Sequence, residues 1–425
     1  MDGYRKTLDY LYETLPMFQR IGAAAYKDNL DNTIALCEAL GNPEKKFKSV
    51  HIAGTNGKGS SSHMLAAILQ MAGYKTGLYT SPHLKEFTER IKINGTDVSH
   101  SFIVDFVEKM KPTLEEIKPS FFETTVAMAF EYFAQQKVDV AVIEVGLGGR
   151  LDSTNVITPE VSLITNISWD HANLLGDTLQ KIAAEKAGII KPSVPIVISE
   201  RQSEVENVFL EKAAKEKSPI IFASDNYRLF PLGDGRFAFS PFAEEMAYQL
   251  QLKGDYQQMN LAGVLASVDQ LKRKGFEISQ ESISEGLRNT ITLTQLKGRW
   301  QKLGDHPLVI CDTGHNEAGI KEVLKQISKE KFKDLHIVWG MVNDKDPGRV
   351  LALLPKNAHY YFCQAKIPRA MNANELKGKA NAFELKGEVV EDVNQAINQA
   401  KKNCSPYDMI FIGGSTFVVG EINNL

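Results

Sequence analysis

The stretch Ser49-Val50-His51-Ile52-Ala53-Gly54-Thr55-Asn56-Gly57-Lys58-Gly59-Ser60 decides the reading of this chain. A β-branched run ends in a glycine-rich loop with one lysine, and a helix-forming segment follows. Glycines let backbone N–H groups approach anionic oxygens, and the new helix presents its positive end to them. In such a cradle Lys58 reaches toward terminal phosphates, and the Ser60 hydroxyl is placed to ligate Mg²⁺. Met64, Leu65, Ile68, Leu69 and Ala72 recur at helical spacing and predict one apolar stripe on that helix.

The loop departs from the common phosphate-loop pattern, in which Ser or Thr directly follows the lysine. Here Gly59 intervenes, and Ile52 stands where the pattern has its first glycine. The bland alternative is a glycine turn with a stray lysine. It leaves the strand–loop–helix order unexplained.

Working outward, 425 residues predict two or three domains at ~100–200 residues each. Hydrophobic content of 43% and charged content of 24% suit a globular core rather than a disordered chain. A net charge of −3 gives no electrostatic case for nucleic acid or an anionic membrane. Lys45-Lys46 and Lys401-Lys402 read as solvated surface. Cys37, Cys311, Cys363 and Cys404 form no CxxC pair and read as reduced thiols, not as a disulfide framework or zinc site. Met1-Asp2-Gly3-Tyr4-Arg5-Lys6 lacks a signal-peptide core, and no apolar run approaches the ~18–20 residues of a membrane span. Cytoplasmic location is the expectation.

After the loop, short β-branched runs alternate with helical patterns, which predicts a parallel sheet flanked by helices. The candidate strands are 49–53, 76–80, 138–143, 161–167 and 195–198. Several run into polar residues: Gly54, Ser81, Glu144, then Asp170 and His171. In open α/β sheets ligands bind outside the carboxyl ends of the strands, so these segments can share one cleft. Gly233-Asp234-Gly235 between β-prone runs suggests a hairpin within this domain. The pattern restarts near Leu296, with strands predicted at 308–311, 335–339, 360–363 and 409–412 and helices at 317–327 and 393–401. The expected division is 1–295 and 296–425.

Glu144 would emerge from a buried strand beside the loop, placed to hold Mg²⁺ or to cap the next loop. His171 lies past another strand end, where imidazole could serve a second ion or a substrate. Asp170 reads as a cap for the helix beginning nearby. By helical pattern alone Lys186 is a surface lysine. Phe121 and Phe122 read as packing residues, and Glu123 as a first-turn acid favoured by the helix dipole. Asp312-Thr313-Gly314-His315-Asn316 follows a strand, and Asn316 could cap the next helix. Turn chemistry and a strand-end site both fit these residues.

Together these stretches resemble the folylpolyglutamate synthase/dihydrofolate synthase family of Mur-type ATP-dependent amide ligases. The ordered set is Leu40 to Pro43, His51 to Ser60, Thr80 to Leu84, Glu89-Arg90, Glu144 to Asn155 and Trp169 to His171. It continues with Glu185 to Lys191, Gly254 to Asn260, Gly298-Arg299-Trp300, Asp312 to Asn316 and Gly413-Gly414-Ser415. The resemblance implies an α/β fold of Mur ligase architecture. A P-loop NTPase-like parallel-sheet domain would precede a smaller Rossmann-like domain. It implies ATP-dependent ligation of L-glutamate to the carboxylate of reduced folate or dihydropteroate through an acyl phosphate.

Carried over by position, Gly54, Thr55, Asn56, Gly57, Lys58, Gly59 and Ser60 would hold ATP phosphates. Asn260, Arg299, Asp312 and His315 would also contact ATP, the last three from the second domain. Ser60, Ser81 and Glu144 would surround a first Mg²⁺, and His171 would help hold a second. Lys58, His171 and Lys186 would be catalytic, and Lys186 matches a lysine carbamylated in the family. Ser81, Pro82, His83 and Phe122 would lie near the pterin, and the glutamate site is unassigned. A monomer is expected.

Asp312-Thr313-Gly314-His315-Asn316 and Lys297-Gly298-Arg299 each depart from the family pattern by one residue and keep the functional side chains. An upstream family element is replaced by Asp28-Asn29-Leu30-Asp31-Asn32. A Mur-pathway ligase is the nearest rival. Such enzymes carry a substrate domain ahead of the phosphate loop, where this chain has only some fifty residues. A nucleotide switch of the guanine type would need an Asn-Lys-x-Asp loop, which the sequence lacks.

Overall fold

The computed structural model describes residues 2–17, 20, 22, 28–233, 235–240, 247–343 and 347–425. The chain divides into two compact units, 1–251 with 256–296, and 252–255 with 297–425. Leu252–Asp255 therefore departs from a contiguous division near 296. The Asp255 N–H donates to Gln326 Oε1 at 3.1 Å, and its carboxylate pairs with Lys329.

The first unit's strands are β1 (Lys48–Ala53), β2 (Thr76–Tyr79), β3 (Ile91–Ile93), β4 (Thr96–Asp97), β5 (Val140–Glu144), β6 (Val161–Ile164), β7 (Ile196–Ile198) and β8 (Ile220–Phe222). Among the described residues they form an eight-stranded sheet in the order β4-β3-β2-β5-β1-β6-β7-β8. From β2 to β8 every pair is parallel. β2, β5, β6 and β7 are buried throughout, as strands covered on both faces must be. The sequence pattern missed β3 and β4, an antiparallel ribbon on one edge closed by Asn94-Gly95. Strand β6 stops at Ile164 rather than 167, because Thr165 to Ser168 turn back onto the glycine loop.

The helix Lys58–Met71 is buried from Gly59 to Leu69, not along one stripe. Helices Gln257–Arg273 and Gln280–Arg288 cover the side that the hydrophobic pattern leaves to solvent. The expected hairpin forms from β9 (Arg228–Gly233) and β10 (Arg236–Ser240), with β11 (Tyr248–Gln249) paired to β10. Asp234 at its turn lies outside the described residues.

The second unit's sheet contains β12 (Gln301–Asp305), β13 (Leu308–Cys311), β14 (Leu335–Trp339), β15 (His359–Gln364), β16 (Gly387–Asp392) and β17 (Met409–Gly413). Its order is β12-β13-β17-β14-β15-β16, parallel except for β12 against β13. Apolar clusters lie on both of its faces. Helices Glu317–Ile327 and Val393–Asn403 fall where the 3.6-residue period places them. Among the described residues no helix is long and apolar enough to cross a membrane.

Candidate active site

In the first unit the chain leaves β1 toward β2 on one side and leaves β6 toward β7 on the other. Sheets of this kind open a crevice at that reversal. Register brings the predicted groups there: Ile52 of β1 lies opposite Glu144 of β5, and Ala53 lies opposite Ile164 of β6.

The glycine loop is braced from below. Thr55 N–H donates to the Asn166 carbonyl at 2.9 Å, and Asn56 N–H donates to Asn166 Oδ1 at 3.1 Å. Thr165 Oγ1 donates to the Asn56 carbonyl at 2.6 Å. The Thr55 and Asn56 amides are therefore used in holding the loop's shape. Those of Lys58, Gly59 and Ser60, in the first helical turn, stay outside the helix's own ladder, which starts with Ser61 N–H to Gly57 O. Two positions demand glycine. A Cβ on Gly54 would stand 1.8 Å from Thr165 Oγ1, and one on Gly57, at φ +88°, 2.0 Å from Asn260 Oδ1. Asn260 thus lies against the loop. Its Nδ2 donates to Gln257 Oε1 at 2.9 Å, and Gln257 Nε2 donates to Ser60 Oγ at 3.3 Å.

Lys58 Nζ bridges the Gly54 and Thr55 carbonyls at 3.1 and 3.2 Å. Glu144 ends β5 with 5% of its surface exposed, and its Oε2 accepts the Ser81 N–H at 3.1 Å. Ser60, Ser81 and Glu144 offer only oxygen donors, a set that suits a hard cation such as Mg²⁺. His171 adds a nitrogen donor beside Asp170, with Nε2 3.8 Å from Asp170 Oδ1.

Lys186 is 4% exposed, which overturns its reading as a surface residue. Its Nζ donates to the Gly54 carbonyl at 2.9 Å. Burial first, then the positive charge of Lys58, lowers its pKa to about 7 against the pull of Asp170 and Asp152. Asp170 does not cap the helix Ala172–Leu175. The cap position is His171, in the left-handed region at φ +49°, and Asp170 Oδ1 accepts the His171 N–H at 3.0 Å.

His83 Nδ1 accepts from Arg90 Nε at 2.8 Å; burial and the Arg90 charge hold that imidazole well below its usual pKa. The Phe122 ring lies where a Cβ on Gly146, two residues past Glu144, would meet it at 2.4 Å. Pro82 is exposed and Ser81 half-buried. Glu123 caps its own helix reciprocally with Ser120.

In the second unit Asp312 follows β13 and accepts from the Trp300 and Gly314 N–H groups, both at 2.7 Å. Arg299 donates to Thr313 Oγ1, and His315 Nδ1 to the Thr313 carbonyl at 3.0 Å. Asn316 caps the next helix through Gly319 N–H at 2.9 Å. Arg299, Asp312 and His315 thus gather in one loop cluster.

A family model of the Mur ligase middle domain matches residues 52–268, and one of the Mur ligase glutamate ligase domain matches residues 298–416. The dihydrofolate synthase/folylpolyglutamate synthase of Bacillus subtilis is 35% identical over 416 residues, covering 93% of this chain and 94% of its own. The chain belongs to the folylpolyglutamate synthase/dihydrofolate synthase family of Mur ligases. Among solved members of that family, E. coli FolC in complex with DHPP and ADP aligns with a TM-score of 0.86 at 27% identity, over 98% of this chain and 96% of that one. The Yersinia pestis bifunctional folylpolyglutamate synthase/dihydrofolate synthase complexed with AMPPNP and Mn ion aligns at 0.83 and 27%, over 98% and 96%.

The sequence reading of this family member placed Arg90, Asp152 and Gln257 in matching stretches without giving them a role, and it passed over Asn166. Asp152 is buried and accepts from Leu147 N, Thr154 N and Thr154 Oγ1 at 2.8, 3.0 and 2.6 Å. Its place just after Gly148-Gly149-Arg150-Leu151 past a strand end was the available signal. Asn166 carried no such signal, because its partners in the glycine loop are more than a hundred residues away; Arg90 and Gln257 make contacts to His83 and Ser60 that residue type alone does not announce.

Proposed function

We propose that this chain joins L-glutamate to the carboxylate of a pterin-bearing folate, with ATP as the phosphoryl donor. The observation that carries the reading is the meeting at one sheet edge of the glycine loop, the Ser81–Glu144 pair and the buried Lys186, in a chain of this family. A bare carboxylate has no adequate leaving group. A folate carboxylate oxygen attacks the γ-phosphorus and ADP departs. The glutamate amine then attacks the acyl carbon, loses a proton and expels inorganic phosphate.

The free amides of the loop and Lys58 hold and neutralise phosphate oxygens, and Asn260 keeps the loop in place. Ser60, Ser81 and Glu144 would hold one Mg²⁺ and His171 would help hold a second; bound there, the metal neutralises charge on the transferring phosphoryl group. Arg299, Asp312 and His315 form the second unit's contribution to ATP, and Ser81, Pro82, His83 and Phe122 flank the pterin. Lys186, largely neutral above pH 7, is suited to add to CO₂. Its nitrogen bonds the carbon and an N–H proton passes to solvent, leaving a carbamate whose oxygens replace a cation with an anion.

Phosphate release from Mg-ATP and L-glutamate tests the reading, with dihydropteroate, tetrahydrofolate and a Mur-pathway nucleotide compared as acceptors. Release that needs both glutamate and a pterin supports it, and the preferred pterin says which of the two activities dominates. Release only with the Mur-pathway acceptor would refute it.

A further inference from the structure

The second unit has another cluster, at the opposite end of its sheet from Asp312. Asp334 precedes β14, Asp408 precedes β17, and His359 and Gly387 open β15 and β16, so the amino ends of adjacent strands meet. A cavity of about 390 Å³ lies there, lined by Asp334, His336, His359, Tyr361, Glu388 and Asp408 among others. One ligand atom each of His336, Cys404 and Asp408 falls within 4.8 Å of the other two.

We propose that His336, Cys404 and Asp408 bind a borderline divalent transition metal of the zinc class, with water from the cavity as fourth ligand.

Imidazole, thiolate and carboxylate together select such an ion over Mg²⁺ or Ca²⁺, which want oxygen alone. His336 and Asp408 are 4% and 5% exposed, so two of the donors are already held in place. His336 Nε2 lies 3.8 Å from Asp408 Oδ2. Bond lengths of ~2.0–2.3 Å put tetrahedral ligand atoms roughly 3.3–3.8 Å apart, a spacing the His336–Asp408 pair already has, and the half-buried Cys404 lies within 4.8 Å of both. The other imidazole nitrogen, Nδ1, is 3.1 Å from Tyr361 Oη, which also accepts from Asn403 Nδ2 at 3.1 Å. An outer partner of this kind orients a metal-binding histidine. Asp408 is positioned by the Ser405 N–H at 2.7 Å and the Asp334 N–H at 3.2 Å. A His–Asp ion pair alone accounts for neither Cys404 nor the cavity that Asp334 and Glu388 make acidic. Binding releases the thiol proton to solvent, and the metal–sulfur bond forms in its place. Sequence spacing hides the set, because His336 lies in a strand far upstream of the loop that carries Cys404 and Asp408.

Cobalt(II) titrated into the full chain is the probe, since the first unit's candidate Mg²⁺ ligands include no thiolate. The expected result is tetrahedral cobalt bands with a thiolate-to-cobalt charge-transfer absorption saturating at one equivalent and displaced by zinc. That absorption is lost in Cys404→Ser and retained in Glu144→Gln, and in His336→Gln cobalt binds more than roughly tenfold more weakly. No charge-transfer absorption in the unmodified chain at saturating cobalt, or one that survives Cys404→Ser, overturns the proposal. The unmodified chain's spectrum decides even if a variant fails to fold, and thermal melting of each variant identifies that case.

Discussion

Lys186 Nζ donates a 2.9 Å hydrogen bond to the carbonyl oxygen of Gly54, the first residue of the phosphate loop, across a sequence separation of 132. The same carbonyl accepts from Lys58 at 3.1 Å. Two ammonium groups on one oxygen repel each other, which adds to burial in favouring the neutral form of the more enclosed lysine.

The first prediction concerns that neutral amine. With its pKa lowered to about 7, Lys186 is mostly charged at pH 6 and mostly uncharged at pH 8. Enzyme depleted of CO₂ should recover ligase activity on adding bicarbonate at pH 8, and much less at pH 6. Labelled bicarbonate should give a carbamate carbon resonance that Lys186→Arg lacks. Equal recovery at both pH values, or no resonance, would sink the carbamate.

Lys58→Ala removes the loop's cation and leaves its bracing by Thr165 and Asn166 intact. A fall in kcat of about 10²–10³ is expected, with thermal melting nearly unchanged. Near-normal phosphate release would remove Lys58 from the phosphate site.

Glu144→Gln keeps an oxygen to accept the Ser81 N–H and removes the negative charge. The Mg²⁺ concentration for half-maximal activity should rise by roughly tenfold or more, as loss of a charged oxygen ligand implies. A Mg²⁺ titration that does not move would show that Glu144 is not a ligand.

Gly57→Ala combines a left-handed backbone with a Cβ 2.0 Å from Asn260 Oδ1. The expected cost is about 1–3 kcal/mol in urea unfolding, with weaker ATP binding. Adding Asn260→Ala removes the clash and should restore part of that stability, while the backbone strain remains. Simple additivity of the two substitutions would refute the contact.

His51 is fully buried, with Nε2 2.8 Å from Thr154 Oγ1, and burial followed by the charge of Lys191 lowers its pKa to about 3. Below pH 6.5 the unfolded chain takes up a proton there and the folded chain does not until about pH 3. Stability is therefore lost as pH falls through that window, by up to about 5 kcal/mol. The melting temperature of His51→Gln should decline less steeply between pH 7 and 4 than that of the unmodified chain. Parallel declines would assign the acid sensitivity elsewhere.

The strands that carry the site were legible because they are buried on both faces and read as continuous apolar runs. β12 and β16 were not: Gln-Lys-Leu-Gly-Asp and Gly-Glu-Val-Val-Glu-Asp are half-exposed, and such edge segments become strands through the neighbour they pair with. Asp170 shows the same limit at one residue. Its type and position suit a helix cap, yet the left-handed turn at His171 directs its carboxylate to that residue's own amide.

The sequence by itself determined that a glycine loop with Lys58 ends a buried strand, and that Ser81 and Glu144 lie at the carboxyl ends of two others. Those are local properties of spacing and apolar content. Only the tertiary structure decided that Lys186 is enclosed and lies on the carbonyl of Gly54, that Asn260 leaves no room for a side chain at Gly57, and that His336, Cys404 and Asp408 meet. Burial and charge coupling depend on what distant segments bring alongside a residue, and a helical pattern around Lys186 records none of that.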